Sequence, residues 1–118
     1  PEKILLVRAH NFRGDFHGLV AGFLEMGESL EECVIREVYE ETSLKIKNLK
    51  YFGSQSWPYP SNIMIGFVAD YDGGEIVVQE SELMSASWYT IDNLPIIPEK
   101  LSIARKLIDY WIDSLDVK

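Results

Sequence analysis

Three glutamates, Glu37, Glu40 and Glu41, lie within little more than one helical turn in the first half of the chain. At about 100° per residue, Glu37 and Glu41 fall on the same side of a helix as the apolar Leu30 and Val34. A carboxylate is costly to bury unless it is paired with a cation or binds a metal ion. Because Mg²⁺ and Mn²⁺ favour oxygen ligands, carboxylates one turn apart can share one or two such ions.

The alternative interpretation of this acidic stretch is a solvated helix face. Arg36 and Glu40 would then form an ordinary i,i+4 ion pair, which contributes roughly 0.3 kcal/mol. Arg36 can offset only part of the negative charge of the three glutamates. The residues that precede the helix distinguish the two interpretations.

Residues 22–44 read GFLEMGESLEECVIREVYEETSL, which resembles the Nudix box. That pattern is Gly, five residues, Glu, seven residues, Arg-Glu, an apolar residue, any residue and Glu-Glu. The positions that match it are Gly22, Glu28, Arg36, Glu37, Val38, Glu40, Glu41 and the closing Leu44. The departure is Ser43, where the family has glycine, and a left-handed residue costs serine more than glycine. We expect a local adjustment at Ser43 with the ligands intact.

The resemblance implies a divalent-metal-dependent hydrolase of the Nudix superfamily. It assigns metal binding to Glu37, Glu41 and the main-chain carbonyl of Ala21, with Glu40 as a further ligand or as the base. Arg36 and Glu28 would orient the acids. Two or three Mg²⁺ or Mn²⁺ ions would neutralise a diphosphate and lower the pKa of the water that attacks phosphorus.

Residues 54–62 read SQSWPYPSN, which resembles the SQPWPFPxS signature of the NADH pyrophosphatase subgroup. Two changes stand out, because Ser56 replaces proline and Asn62 replaces serine, whereas Tyr59 is a mild replacement for phenylalanine. The alternative is a Trp-Pro turn that only fills core volume. The resemblance implies hydrolysis of a dinucleotide such as NADH to AMP and the reduced nicotinamide mononucleotide.

Aromatic and polar side chains of these segments are the candidate substrate contacts. Trp57 and Phe23 offer surfaces on which a nicotinamide or adenine ring can stack. Gln55, Ser61 and Asn62 can form hydrogen bonds with ribose or phosphate. The full predicted set is Phe23, Gln55, Trp57, Pro58, Tyr59, Pro60, Ser61, Asn62 and Ala104.

Two more positions match the subgroup. Ala104, in the stretch SIARKLIDYWI that resembles the subgroup's C-terminal helix, matches a substrate-contacting position. Glu82 matches a metal-binding glutamate outside the box, and its alternative is a surface acid beside Glu80. His10 and His17 show neither triad nor zinc spacing, so we interpret both as surface or loop histidines.

Other functions remain open for the same site. The substrate of a Nudix enzyme of this kind can also be ADP-ribose, another nucleoside diphosphate derivative, or RNA that carries an NAD cap. The chain lacks a basic stripe, which counts against tight binding of single-stranded RNA. A nucleotide-binding module with a Nudix fold and no turnover is the third alternative, and the intact box counts against it.

Apolar patterns predict the elements that position these residues. Strands are expected at residues 3–9, 44–56 and 63–71, with shorter candidates at 76–78 and 86–91. A capping box at Ser29 and Glu32 begins a helix over residues 30–42, and apolar residues at helical spacing predict a second helix over 102–115. The expected fold is α+β, an α/β/α sandwich of the Nudix kind with a mixed β-sheet between helices.

Composition limits the remaining possibilities. The 118 residues suit one domain, 1–118, and their formal net charge of -8 repels phosphates and anionic lipid, so bound cations must help an anionic substrate. Cys33 is the only cysteine, which excludes an internal disulfide and a multi-cysteine zinc site in these residues. No apolar run is long enough to span a bilayer. We expect a cytoplasmic protein.

The resemblance also concerns what surrounds this domain. Family members of this type usually carry an upstream portion with a four-cysteine zinc ribbon, so the chain is interpreted as the catalytic part of a longer protein or as a shortened homologue. They also tend to form homodimers, which we expect here.

Overall fold

The order of strands and helices along the chain confirms the predicted α+β class. The computed structural model describes residues 3–9, 18–57, 62–79, 83–98 and 102–115. Their elements are β1 (Ile4–Ala9), α1 (Leu30–Thr42), β2 (Lys45–Trp57), β3 (Asn62–Gly73), β4 (Leu83–Tyr89), a short 3₁₀ turn (Ile91–Asn93) and α2 (Ile103–Leu115). None of the helices in this part of the chain has the length and apolar character needed to cross a membrane.

The strands form two antiparallel ladders, β1 with β4 and β2 with β3. In the first ladder Ile4 lies opposite Tyr89, and Val7 also exchanges two main-chain hydrogen bonds of 2.8 Å with Gly18. The second ladder is a long hairpin that ends at the pair Trp57 and Asn62. Parallel pairs, which a mixed sheet requires, do not occur among the residues described here.

The core lies where the ladders meet the two helices. Its buried apolar residues are Leu6, Val7, Cys33, Leu44, Leu83, Ile103 and Ile108. Helix α2 packs on β3 at Gly66, where an added methyl group would lie 3.0 Å from Cδ1 of Leu107. The rings of Phe52 and Tyr110 also meet edge to face at a centroid distance of 5.5 Å. These contacts pack α2 against the hairpin.

The predicted strand at residues 76–78 is wrong. This stretch has no regular structure, and its main chain bonds instead to the end of α1. Val77 donates its N–H to the carbonyl of Thr42 at 2.9 Å, and Gln79 donates to the carbonyl of Glu41 at 3.0 Å. The last carbonyls of a helix have no partner within the helix, so they compete successfully for these donors.

The other short strand is displaced from its predicted bounds. It begins at Leu83 rather than at residue 86 and ends at Tyr89, after which residues 91–93 form the 3₁₀ turn. At the end of β3, Gly73 and the following Gly74 have φ of 124° and 95°. Such left-handed φ values favour glycine. They turn the chain from β3 towards the end of α1.

Candidate active site

Helix α1 begins and ends at the residues predicted from the sequence. The Ser29 hydroxyl accepts the N–H of Glu32 at 3.1 Å, and the Glu32 carboxylate accepts the N–H of Ser29 at 2.8 Å. This capping box satisfies two main-chain donors that the first turn leaves free. Because both helix ends are defined, Glu37, Glu40 and Glu41 have a definite placement on its surface.

The expected adjustment at Ser43 does not take place. Ser43 itself adopts the left-handed conformation, with φ 66° and ψ 10°, and donates its N–H to Tyr39 O. The chain after β3 then approaches closely, since a methyl group on Gly74 would lie 2.8 Å from the Ser43 carbonyl oxygen. The helix therefore ends at the usual position with a serine in the place of glycine.

The guanidinium of Arg36 brings several of the predicted residues together. Its Nε and Nη2 donate to the two carboxylate oxygens of Glu28 at 2.6 and 3.0 Å. Its Nη1 donates to Glu37 at 2.6 Å and to Glu40 at 3.1 Å, and its Nη2 also donates to the carbonyl of Phe23 at 3.0 Å. One side chain thus orients two acids of α1 and the loop that precedes the helix.

Both partners of the Arg36–Glu28 pair remain charged. The hydrogen bond from Arg36, followed by the main-chain hydrogen bond from Glu25, lowers the pKa of Glu28 from 4.5 to about 2. The same hydrogen bond with Glu28 raises the pKa of Arg36. Burial raises the pKa of the neighbouring Cys33 thiol, so Cys33 stays neutral. The pair is a permanent ionic element of the site.

Gly22 lets the main chain of the preceding loop lie against Glu37. A methyl group at Gly22 would overlap the Glu37 carboxylate, so any larger residue would displace one of the two. Ala21 directly precedes Gly22 and is itself exposed. The main chain of the loop at Gly22 therefore lies directly against one of the helix acids.

The three acids of α1 differ strongly in exposure. Glu41 is 5% exposed, whereas the side chains of Glu37 and Glu40 are 18% and 52% exposed. A solvated face describes Glu40 but not Glu41, because a buried carboxylate requires a compensating partner. The acids therefore extend from the surface into the interior along one helix edge.

The donor chemistry of this edge fits a hard divalent cation. Glu37 and Glu41 lie one turn apart on α1, the main chain at Gly22 lies against the Glu37 carboxylate, and oxygen ligands are those that Mg²⁺ and Mn²⁺ prefer. Within the described ranges, no three side chains of Asp, Glu, His or Cys are grouped to hold one ion. Glu82, the predicted ligand outside the box, lies outside these ranges, as do His10 and His17.

The predicted substrate residues fall into two sets. Phe23 is 78% exposed next to the Arg36 cluster, so its ring is accessible for stacking. Trp57 and Asn62 form the last pair of the β2–β3 hairpin. Pro58, Tyr59, Pro60 and Ser61, which connect these two residues, lie outside the described part of the chain.

Gln55 makes a contact that the sequence did not predict. Its side-chain oxygen accepts the main-chain N–H of Ile103 at 2.8 Å, at the start of α2, and Ala104 is the next residue. The sequence shows no signal for this contact, because 48 residues separate its partners. Two predicted substrate residues, Gln55 and Ala104, are thereby brought close together.

Sequence reasoning also missed Glu25. Its N–H donates to the Glu28 carboxylate at 3.0 Å, and its own carboxylate lies 3.7 Å from Nε of Arg36. An acid three residues before Glu28 was the available signal, since this spacing is typical of a turn. Glu25 thus adds negative charge beside the Arg36–Glu28 pair.

The fold and this acid-lined helix identify the family. The family model described as NUDIX domain matches residues 1–111 of the sequence, so the chain belongs to the Nudix family. The NAD-capped RNA hydrolase NudC of Photorhabdus laumondii is 51% identical over 108 residues, which cover 92% of this chain and 42% of that protein. The protein of the same name from Pseudomonas aeruginosa is 48% identical over 111 residues, covering 94% and 40%. The chain spans about two fifths of the length of these relatives.

Solved structures confirm the predicted Nudix fold. A UDP-X diphosphatase structure matches with a TM-score of 0.70 at 28% identity, covering 99% of this chain and 59% of that one. The NUDIX domain of Shewanella oneidensis NrtR, solved with ADP ribose, matches with a TM-score of 0.75 at 20% identity, covering 96% and 77%. The second similarity shows the fold alone.

Proposed function

We propose that this domain hydrolyses the diphosphate bond of NADH or NAD⁺ to give AMP and nicotinamide mononucleotide. The observation that carries the proposal is the Arg36 cluster, in which one guanidinium holds Glu28, Glu37, Glu40 and the carbonyl of Phe23. Arg36 thus holds both the acids of α1 and the residue that carries the exposed aromatic ring. The relatives named NAD-capped RNA hydrolase support a substrate that contains the NAD moiety.

The proposal includes two or three Mg²⁺ or Mn²⁺ ions. Glu37, Glu41 and the Ala21 carbonyl would hold them, with Glu40 and Glu82 as further ligands. The close approach of Gly22 to the Glu37 carboxylate supports this set, because it places the loop beside the acid. When bound, divalent cations neutralise the diphosphate charge and lower the pKa of water.

Glu82 is included because it matches a metal-binding glutamate outside the box. Among the described residues near it, Leu83 donates its N–H to the carbonyl of Gln79 at 2.9 Å, and Gln79 donates its N–H to the carbonyl of Glu41 at 3.0 Å. The chain that follows Glu82 is thus bonded, through Gln79, to the end of α1.

The chain's own residues would orient the substrate and accept the proton. Phe23 offers its exposed ring to a base of the dinucleotide, which sets the diphosphate over the acids. Glu40, half exposed and held by Arg36 at 3.1 Å, would accept the proton of the attacking water. Water adds to one phosphorus and the bond to the bridging oxygen breaks, which releases the two mononucleotides.

A product assay tests this proposal. The protein is incubated with NADH or ADP-ribose, each with Mg²⁺, with Mn²⁺ and with chelator, and the products are separated by chromatography. We expect AMP and reduced nicotinamide mononucleotide from NADH only when a divalent ion is present. Turnover of ADP-ribose alone would transfer the activity to that substrate, and no turnover of either would favour a binding module.

The second candidate substrate is RNA that carries an NAD cap. The names of the relatives favour it, whereas the net charge of -8 disfavours long contacts with the RNA backbone. Only the cap needs to enter the site. A capped oligonucleotide in the same assay would yield nicotinamide mononucleotide and RNA with a 5′ monophosphate.

We also propose that the protein acts as a homodimer in the cytoplasm. Large apolar side chains that are exposed in the single chain, among them Leu24, Met26 and Ile96, favour an assembly that covers more surface. Light scattering coupled to size exclusion would return twice the mass of the chain, and a monomeric mass would contradict the proposal.

A further inference from the structure

We infer that Gln55 is a positioning residue that ties the end of β2 to the first turn of α2. Its side-chain oxygen accepts the main-chain N–H of Ile103 at 2.8 Å in a partly buried setting. The effect of Gln55 on substrate affinity rests on the proposed function. The structural part of the inference, that a side chain of a distant strand caps α2, is independent of that function.

The first turn of α2 needs acceptors from outside the helix. The first main-chain N–H groups of any helix have no partner in the helix itself. Ser102 accepts the N–H of Arg105 at 3.1 Å through its hydroxyl, which is the usual local cap. Ile103, the first residue of α2, instead donates to Gln55, 48 residues earlier in the chain.

Packing alone does not define how α2 sits on the hairpin. Ile103 is buried, and a methyl group on Gly66 would lie 3.3 Å from its Cδ1, so the helix start presses against β3. Apolar contact of this kind is non-directional and permits small rotations of the helix. A hydrogen bond is directional, so the Gln55 cap sets the rotation and axial position of the first turn.

This placement matters because predicted substrate contacts lie on both the hairpin and α2. Gln55 pairs across the hairpin with Met64, two positions before the last pair, Trp57 and Asn62. Ala104 follows the capped residue on α2. Gln55 therefore fixes the separation between Ala104 and the end of the hairpin. A mispositioned contact weakens binding before it affects the chemistry at the acids.

Two variants of Gln55 separate positioning from direct substrate contact. Gln55→Met keeps the length of the side chain and removes the acceptor, whereas Gln55→Glu keeps an acceptor oxygen and removes the amide donor. We expect Gln55→Met to raise KM for NADH about fivefold with kcat within about twofold, as for the loss of one hydrogen bond. We expect Gln55→Glu to retain a KM near that of the parent protein, since a carboxylate also caps a helix N-terminus well.

The opposite order of the two variants would overturn the inference. If Gln55 donated to the substrate phosphate, Gln55→Glu would be the worse variant, because it replaces the donor with a negative charge. Lys50→Met is the matched control, an exposed residue of the same strand whose replacement should leave KM unchanged.

Hydrogen exchange tests the cap without any substrate. The Ile103 amide should exchange at least several-fold faster in Gln55→Met than in the parent protein, and protection should return in Gln55→Glu. Unchanged exchange in Gln55→Met would overturn the inference, even if NADH proved to be the substrate. Absence of turnover in the parent protein would overturn the proposed function and leave the exchange result valid.

Discussion

The most connected residue of the site is a cation rather than a ligand. Arg36 bonds two oxygens of Glu28, one oxygen each of Glu37 and Glu40, and the carbonyl of Phe23. Charge-assisted hydrogen bonds of this kind are stronger than neutral ones, and the paired contact of Arg36 with Glu28 also fixes the relative orientation of the two groups. Arg36 therefore keeps acids together that would otherwise repel one another.

Glu41 is the acid whose loss should be most damaging. Glu41 is 5% exposed, so bulk water cannot hydrate its carboxylate. We expect Glu41→Gln to lower turnover of NADH by about a hundredfold or more while the fold is retained, because it would remove a proposed ligand of the charge-stabilising cation. Steady-state rates and circular dichroism measure the two effects.

The control for this substitution is Glu31→Gln in the same helix. Glu31 is exposed in the first turn and has no part in the proposed site, so its turnover should match that of the parent protein. Near-normal turnover of Glu41→Gln under saturating Mg²⁺ would remove Glu41 from the mechanism.

The Glu28 carboxylate should make stability depend on acid pH. Its pKa is lowered from 4.5 to about 2, so its ionised form stabilises the folded state fully at pH values above the pKa of the unfolded chain. This contribution is lost as the pH falls through the window between those two values. We expect the urea midpoint of the parent protein to fall more steeply across the window than that of Glu28→Gln. Parallel declines would show that the Arg36–Glu28 pair contributes no stability.

At the scale of elements, α1 ends in a residue that is poorly suited to its conformation. Ser43 has φ 66°, and a left-handed conformation costs a residue with a Cβ roughly 1–2 kcal/mol. We expect Ser43→Gly to raise the free energy of unfolding by about 1 kcal/mol, since the greater freedom of glycine in the unfolded chain cancels part of the gain. Chemical denaturation measures this change.

Ser43→Ala is the matched variant for that prediction. It keeps the unfavourable φ and removes only the hydroxyl, whose 3.4 Å contact with the Val77 carbonyl is long. Its stability should stay within about 0.5 kcal/mol of the parent protein. A stabilisation by alanine as large as that by glycine would show that φ is not the cause.

The success of the sequence-based predictions followed how local each signal is. The bounds of α1 were confirmed because a capping box and the apolar spacing behind it are encoded within a few residues. The strand at residues 76–78 was predicted wrongly, since its apolar pattern does not reveal that Val77 bonds to Thr42. The contact between Gln55 and Ile103 gave no signal for the same reason, because the two residues are distant in sequence, whereas the role of Gln55 as a substrate contact stays a prediction.

At the scale of the whole molecule, the charge of the chain opposes its proposed substrate. Eleven basic against 19 acidic residues give a net charge of -8, and a dinucleotide is also an anion. The long-range field therefore slows the encounter, whereas cations bound at the acids would attract the diphosphate only at short range. Association of the dinucleotide should therefore depend on short-range attraction by bound cations that overcomes the repulsion by the whole chain.

This division of fields predicts an unusual response to salt. Screening lengths shrink to about 10 Å at about 0.1 M ionic strength, so added KCl should weaken the global repulsion more than the contacts inside the site. We expect kcat/KM for NADH, measured at saturating Mg²⁺, to stay level or to rise by no more than a few-fold as KCl increases. A substrate held by a basic groove would instead lose affinity steeply with salt. The same titration with NAD-capped RNA is the critical comparison. A level response of kcat/KM would mean that only the cap is bound. A steep fall would reveal contacts with the RNA backbone, which the net charge argues against.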